Sequence, residues 1–335
     1  MTGAPPPLQS RTWTWTFDRP VAAIWPAMAD TARFNEAAGL PKHTIAEVAQ
    51  PDGSVRYLAT AHKGSIPLAW EDFPVNWVAG RWMRHRRVFS QGPLAELIAT
   101  LRFAETDGGC TLDYTLEAAP ANWLGRLALA TKFFSSAEAN FTALADQARS
   151  YARGERPTPF NVPVPTLPEG AADRAHTLAG QIEATEHGHG LAGRLADLVL
   201  TGSEVDLWTI RPLSLARAWT VPERHAVEVC LEAVAQGLLR LRWDLVCPRC
   251  RVGKGSVPAM DQLPKGAHCP SCNIRYDRDY LRNVELAFHP ATAIRQIAGG
   301  EYCLFGPMST PHVKAQVTLD PGETRDEPLD LPPGP

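Results

Sequence analysis

Four of the seven cysteines stand in two close pairs, Cys247-Pro248-Arg249-Cys250 and Cys269-Pro270-Ser271-Cys272. Residues 251 to 268 separate the pairs, so the pattern reads C-x2-C-x18-C-x2-C. A C-x2-C step lets a tight turn aim two thiolates at one point. Two such steps complete a tetrahedral set of four sulfurs, which suits Zn2+ with Zn–S distances near ~2.3 Å. Four thiolates leave no coordination position for water. The expected group is therefore one structural zinc per chain, held by Cys247, Cys250, Cys269 and Cys272. Two redox C-x2-C sites are the alternative reading, weakened by the duplication and by the lack of a βαβ pattern around either pair. Iron satisfies the same spacing, and His268 is a spare donor that a complete sulfur shell does not need.

Other residues carry weaker chemistry. Between Cys247 and Arg282, Arg249, Arg251, Lys254, Lys265, Arg275, Arg278 and Arg282 outnumber Asp261, Asp277 and Asp279. A phosphate footprint needs a larger coherent patch, so nucleic acid is not an expected partner. Glu71 and Asp72 are adjacent carboxylates, but on a strand they point to opposite faces and make a poor acid–base pair. In Arg84-His85-Arg86-Arg87, alternate side chains also face opposite ways. One of them can point inward and anchor the polar head of a ligand, the other reading being a solvated strand face. His187-Gly188-His189-Gly190 reads as a loop rather than a metal site. Phe34, Trp70, Trp77, Trp82 and Phe134 are candidate walls of a ligand cavity, with ordinary core packing as the alternative. No Ser-His-Asp set, phosphate loop or dinucleotide fingerprint occurs, and no catalytic residue is assigned.

The elements that position these residues follow from periodicity. Thr12-Trp13-Thr14-Trp15-Thr16-Phe17 alternates strictly, which predicts a strand with Trp13, Trp15 and Phe17 on one face. Asp18 and Asp30 are expected N-caps of two short helices, the first through Val21, Ile24, Trp25 and Met28. Extended runs follow at 56–62, 67–72, 81–89, 95–103 and 110–118, with turns at Pro51-Asp52-Gly53, Gln91-Gly92-Pro93 and Asp107-Gly108-Gly109. From Pro120 to about Arg153 the period becomes helical and predicts one long helix. Its expected buried positions are Leu124, Leu127, Leu129, Phe133, Phe134, Phe141, Leu144 and Ala148.

Strand, short helices, antiparallel sheet and long final helix, together with Arg19-Pro20-Val21-Ala22-Ala23-Ile24-Trp25-Pro26, resemble the START-like (SRPBCC, helix-grip) superfamily. That resemblance implies an α+β fold in which the sheet grips the last helix, enclosing an apolar cavity for a small molecule.

Residues 155–170 hold Pro157, Pro159, Pro163, Pro165 and Pro168 and read as an extended linker. The expected domains are thus 1–154, START-like, and 171–335, helical and zinc-ribbon sequence ending in strands. Helices are expected at 171–184, at 191–200, and after Thr220 as N-cap, ending near Gly237. Strands are expected at 238–243, 284–289, 301–305, 313–319 and 329–331. The Gly- and Pro-containing insert between the cysteine pairs resembles a zinc-ribbon loop. The series Arg211-Pro212-Leu213-Ser214, Trp243-Asp244-Leu245-Val246-Cys247-Pro248, His268-Cys269-Pro270-Ser271-Cys272-Asn273 and Thr310-Pro311-His312 is similar to a bacterial domain of unknown function. In that family the domain stands between a START-like domain and a class III adenylate/guanylate cyclase domain. The resemblance implies a sensory or regulatory region upstream of a cyclase that this chain does not contain. Ending on the turn-like Pro332-Pro333-Gly334-Pro335, the chain is expected to be cut short of a partner strand.

Composition is ordinary for a globular protein, 44% hydrophobic and 21% charged, with a formal net charge of -3. That balance excludes a general attraction to nucleic acid or anionic lipid. No run approaches the ~20 apolar residues of a membrane span, and residues 1–10 lack a signal-peptide core. Paired knuckles beside scattered Cys110, Cys230 and Cys303 suit the cytoplasm. The expected protein is a non-catalytic sensor for an apolar small molecule or a protein effector, such as a cyclase domain in cis. A polyketide-cyclase or hydrolase-like enzyme using the same cavity is the alternative.

Overall fold

The computed structural model describes residues 7–51, 54–269, 272, 274–304, 306–319 and 321–329. The expected turn at Asp52-Gly53, the strand ends at Phe305, Asp330 and Leu331, and the final Pro-rich turn lie outside them. So do Pro270, Ser271 and Asn273 of the second cysteine knuckle. The chain divides into two compact units, residues 1–161 with 300–335, and residues 162–299.

The first unit opens with β1 (Gln9–Phe17), α1 (Val21–Met28) and α2 (Thr31–Ala37). Then come β2 (Thr44–Ala49), β3 (Val55–Lys63), β4 (Ile66–Asp72), β5 (Asn76–Val78), β6 (Trp82–Gln91), β7 (Leu94–Thr106) and β8 (Gly109–Pro120). It continues with α3 (Trp123–Thr131) and α4 (Phe133–Ala152). The sheet runs β1-β8-β7-β6-β4-β3-β2, every neighbouring pair antiparallel. As the alternation in β1 predicts, Trp15 and Phe17 are buried. The sheet curls around α4, which buries Phe134, Phe141, Leu144, Ala145 and Ala148. Trp15 Nε1 donates to Thr142 Oγ1 at 3.2 Å, tying the first strand to that helix. This is a helix-grip arrangement, α+β as expected.

Local details differ from expectation for identifiable reasons. Asp30 caps α2 by accepting from the Arg33 amide at 3.1 Å. Asp18 does not cap α1. It is paired with Arg153 at 3.0 Å, while Glu105 Oε1 accepts from the Val21 amide at 3.1 Å. A sheet residue distant in sequence thus takes the capping role, which local patterning cannot foresee. The single long helix is two helices. Asn122 caps α3 by accepting from the Gly125 amide at 3.1 Å, and the helix breaks at Lys132. The break rotates the apolar stripe, so Leu124 and Leu127 are 49% and 54% exposed rather than buried.

The second unit contains α5 (Ala171–Glu183), α6 (Ala192–Thr201), α7 (Glu204–Trp208), α8 (Pro212–Trp219) and α9 (Glu223–Gln236). It then contains β9 (Leu239–Val246), β10 (Gly253–Val257), β11 (Gly266–Cys269), β12 (Ile274–Asp277) and β13 (Val284–Pro290). Its core gathers Ile182, Leu195, Val199, Leu207, Val229 and Phe288. Thr220, expected as an N-cap, instead closes α8 in the left-handed region at φ 57, and Pro222 precedes α9. Gly237 ends α9 at φ 88, a conformation that favours glycine.

Residues 300–335 were expected in the second domain, but they belong to the first unit. Glu301 bridges His43 through two backbone hydrogen bonds of 2.7 and 2.9 Å. The strand β14 (Ala315–Gln316) pairs antiparallel with Val78 and Trp77 of β5. Of the 313–319 run, only these two residues form a strand. The physical reason is an open edge. β5 pairs with β6 on one side only, and returning chain can fill the other; apolar periodicity does not specify which sheet an extended run joins.

Candidate functional site

The inner face of the first unit's sheet is set by strand alternation. Met83, His85 and Arg87 of β6 stand opposite Leu101, Ala99 and Leu97 of β7. Leu101 and Ala99 in turn face Tyr114 and Leu116 of β8. Small residues at Ala99, and at Ala137 on α4, leave room between sheet and helices. The result is a cavity of about 400 Å3 whose walls include Phe34, Tyr114, Phe133 and Phe141. A second chamber of about 280 Å3 adjoins it, sharing Arg87, Leu97 and Phe133 and adding His43, Trp70 and Phe89. The first falls within the roughly 300–1,000 Å3 of pockets that take small organic molecules, and the second lies just under it.

One polar cluster interrupts these apolar walls. Asp72, at the end of β4, is fully buried, and its Oδ1 lies 2.5 Å from His85 Nε2. Arg87 Nε is 3.6 Å from the same oxygen, and His43 Nε2 is 3.9 Å from Asp72 Oδ2. Burial is the largest influence on Asp72 and raises its pKa. His85 and Arg87, with a smaller share from His43, outweigh it and hold the carboxyl well below its usual range. Burial, helped by the Arg87 charge, lowers His43 to about 4, so its ring is neutral near pH 7. Burial also pushes the Tyr114 phenol far above its ordinary value. Among the described residues, several polar atoms here have no hydrogen-bond partner: Arg87 Nε and Nη2, Trp70 Nε1, His43 Nε2 and Asp72 Oδ2.

The sequence-predicted wall residues separate into four places. Phe34 lines the first chamber and Trp70 the second. Phe134 packs in the core beside Phe133, rings 5.2 Å apart, and it is Phe133 that faces both chambers. Trp77 is fully buried on the short β5, its Nε1 3.4 Å from the Val313 carbonyl. Trp82 lies on the opposite face of the sheet, donating to Glu327 Oε2 at 3.2 Å beneath the Arg325 guanidinium. Of the Arg84–Arg87 quartet, His85 and Arg87 point inward. Glu71 faces out to pair with Arg56 at 2.6 Å while Asp72 faces in, as alternation requires. His43, Tyr114 and Phe133 were not singled out as cavity residues. A charge at Asp72 in phase with Leu68 and Trp70 was the available signal for the polar cluster.

In the second unit the four cysteines converge. Cys247 follows β9 and Cys269 ends β11, so two sheet edges position the two knuckles. The first is closed by Cys247 N to Val252 O and Arg251 N to Cys247 O, both 2.9 Å. The four sulfurs lie within 4.8 Å of one another, with Cys247, Cys250 and Cys269 buried. Cys250 and Cys269 Sγ are 3.7 Å apart. A disulfide needs about 2.05 Å, whereas two sulfurs at ~2.3 Å from a tetrahedral centre are about 3.8 Å apart. The donor set and spacing therefore fit a tetrahedral thiolate-bound cation. Hydrogen bonding from Cys250, then burial, push the Cys269 thiol up, and burial pushes Cys272 up to about 11. A divalent cation reverses that preference by stabilising the thiolates. His187, His189 and Glu228 also come together, His189 Nε2 lying 2.8 Å from Glu228 Oε2.

Residues 180–304 match the model of a family of unknown function, DUF5939. No curated protein matches. Among solved structures, the chain is similar to the Zhui aromatase/cyclase from Streptomyces sp. R1128, at 13% identity and TM-score 0.34, over 44% of this chain and 98% of that one. It is similar to protein Ms6760 from Mycobacterium smegmatis at 23% identity and TM-score 0.27, over 44% and 92%. It is also similar to TTHA0849 from Thermus thermophilus at 11% identity and TM-score 0.28, over 44% and 99%. No helix among the described residues is long and apolar enough to cross a membrane.

Proposed function

We propose that this chain is a ligand-binding regulatory protein. Its first unit takes an apolar small molecule into the cavity between sheet and helices, and its second is held by one structural zinc on Cys247, Cys250, Cys269 and Cys272. The observation that carries the binding role is the twin-chambered apolar cavity with a single buried polar cluster on its wall. Zinc on four thiolates supplies folding stability, since no position stays open for chemistry. The sequence motifs favour a place upstream of a nucleotide cyclase, with ligand occupancy relayed as a population shift through residues 155–170. Native mass spectrometry of protein purified without additions tests the first part. The expected result is one zinc and one bound organic molecule, the latter absent from Ala128→Trp, a position that lines both chambers. A ligand retained by that variant would remove the cavity from the account. Replacing 155–170 with Gly/Ser should abolish the relay in a chain fused to a cyclase; unchanged regulation would sink it.

A second reading rests on His85. An imidazole fixed by a buried carboxylate, beside Arg87 and Tyr114 in a cavity, has the make-up of an acid–base site. In that case the bound molecule is converted, and His85→Asn stops turnover while binding persists. Recovery of the co-purified molecule unchanged after prolonged incubation speaks for the binding role instead.

A further inference from the structure

We infer that the occupant of the twin chambers is an apolar monoanion, an acidic head on a hydrocarbon or ring body, with Arg87 receiving the head. This rests on the ligand-binding reading above and specifies its ligand class.

Charge comes first. Arg87 lines both chambers, Lys63 lines both at their exposed end, and Lys132 lines the first. No Asp or Glu lines either chamber among the described residues. Asp72 lies close behind the wall and is already shared between His85 and Arg87. Neither lysine has an ion-pair partner among the described residues. Three cations and no carboxylate on the lining itself make the cavity surface positive among the described residues.

Hydrogen-bond accounting points the same way. Arg87 Nε, Arg87 Nη2 and Trp70 Nε1 are buried donors without acceptors, and all belong to side chains lining the second chamber. The guanidinium carbon lies 5.7 Å from the Trp70 ring centre, so these donors border one small region. The unpartnered acceptors beside them among the described residues, Asp72 Oδ2 and the Nε2 of a neutral His43, are fewer than these three donors. Buried donors left unmade are costly. A ligand head made of acceptor oxygens and carrying negative charge satisfies them, and a guanidinium is the side chain best shaped to receive it. Around this point the walls are Leu68, Phe89, Leu94, Leu97 and Phe133, which favour an apolar body. A polyanion is disfavoured, because Arg87 is the one largely enclosed cation on the lining among the described residues and the lysines stand at the exposed end.

The test uses two fluorescent probes with the same ring system on the full chain. These are 1-anilinonaphthalene-8-sulfonate, an anion, and N-phenyl-1-naphthylamine, which is neutral. The expected result is sulfonate binding at least about tenfold tighter than the amine. Arg87→Gln should erase that preference while leaving amine binding, and Arg87→Lys should keep part of it. The affinity ratio in the unsubstituted protein decides the matter even if Arg87→Gln does not fold. Equal binding, or tighter amine binding, that Ala128→Trp blocks overturns the anionic class and leaves the cavity reading standing. If Ala128→Trp, at a position lining both chambers, leaves both probes bound as before, they sit elsewhere, and the ligand-binding reading falls together with this inference.

Discussion

Asp72 Oδ1 and His85 Nε2 lie 2.5 Å apart on the inner faces of β4 and β6, thirteen residues apart in sequence. The backbone register pairs Asp72 with Arg87, so one carboxylate is met by an imidazole and a guanidinium from the same neighbouring strand. A charge in the interior persists only where opposite charge and hydrogen bonds compensate its lost hydration. The cluster is therefore one unit, and removing a member exposes the rest to that cost.

Asp72→Ala should destabilise the first unit by about 3–5 kcal/mol, because the buried guanidinium nitrogens of Arg87 lose their counter-charge. Asp72→Asn, which keeps the shape and a hydrogen-bonding oxygen, should cost less. Urea unfolding followed by tryptophan fluorescence reads this transition, since seven of the ten tryptophans belong to residues 1–161. A change in Asp72→Ala below about 1 kcal/mol, the range of a surface ion pair, would contradict the burial of the cluster.

Stability should fall as the solution is acidified from neutral, well before ordinary carboxylates protonate. His43 has its pKa lowered from 6.5 to about 4 by burial and by the Arg87 charge. Between those values the unfolded chain binds a proton that the folded chain does not, so unfolding gains favour as pH drops. The contribution is full above 6.5, amounts to about 3 kcal/mol, and is exhausted near pH 4. Asp72 acts in the same sense at lower pH, because its depressed pKa adds stability that is lost below its usual 3.8. Urea midpoints measured from pH 7.5 to 4.5 should slope in the wild type and flatten in His43→Gln. Parallel curves for the two proteins would show that His43 titrates normally.

What could be read from the chain alone divides along physical lines. Alternation in β1 and the pairs Glu71/Asp72 and His85/Arg86 carried their own orientation, because a strand's period is two whatever surrounds it. The four cysteines were legible for a related reason, since a C-x2-C turn is local. Phe133 against Phe134 was not legible. A helix break at Lys132 shifts the register by a fraction of a turn, and one residue then faces the cavity instead of its neighbour. His43 was hidden because its place depends on Glu301, 258 residues away by their numbers, through a backbone bridge. The contacts of Trp77 and Trp82 with Val313 and Glu327 are equally non-local.

The zinc assignment predicts that the second unit depends on the cation. Elemental analysis should return one zinc per chain, and Cys250→Ser or Cys269→Ser should lose it. Cys110→Ser, outside the cluster, should not. Removing the metal withdraws free energy that exists only in the folded state, so the second unit's melting midpoint should fall by more than about 5 °C. Full zinc content in Cys269→Ser would exclude the four-sulfur site.

Gly125 tests whether the helices above the cavity are held as closely as the structure places them. It lies in the first turn of α3, where its amide donates to Asn122 Oδ1 at 3.1 Å. A β-carbon added there would stand 1.9 Å from the carbonyl oxygen of Pro93, in backbone that cannot rotate away as a side chain could. Gly125→Ala must therefore lift α3, and with it Ala128, which lines both chambers. The alanine gains helix propensity of nearly 1 kcal/mol over glycine, but overpacking of this kind costs about 1–3 kcal/mol. A net loss of stability with weakened binding of 1-anilinonaphthalene-8-sulfonate is the expected pair of results. Gly180→Ala in α5, where an added β-carbon meets nothing within 4 Å, is the matched control and should be neutral or stabilising. If Gly125→Ala behaves like that control, α3 does not rest on the Pro93 turn, and the cavity is not closed in the way described.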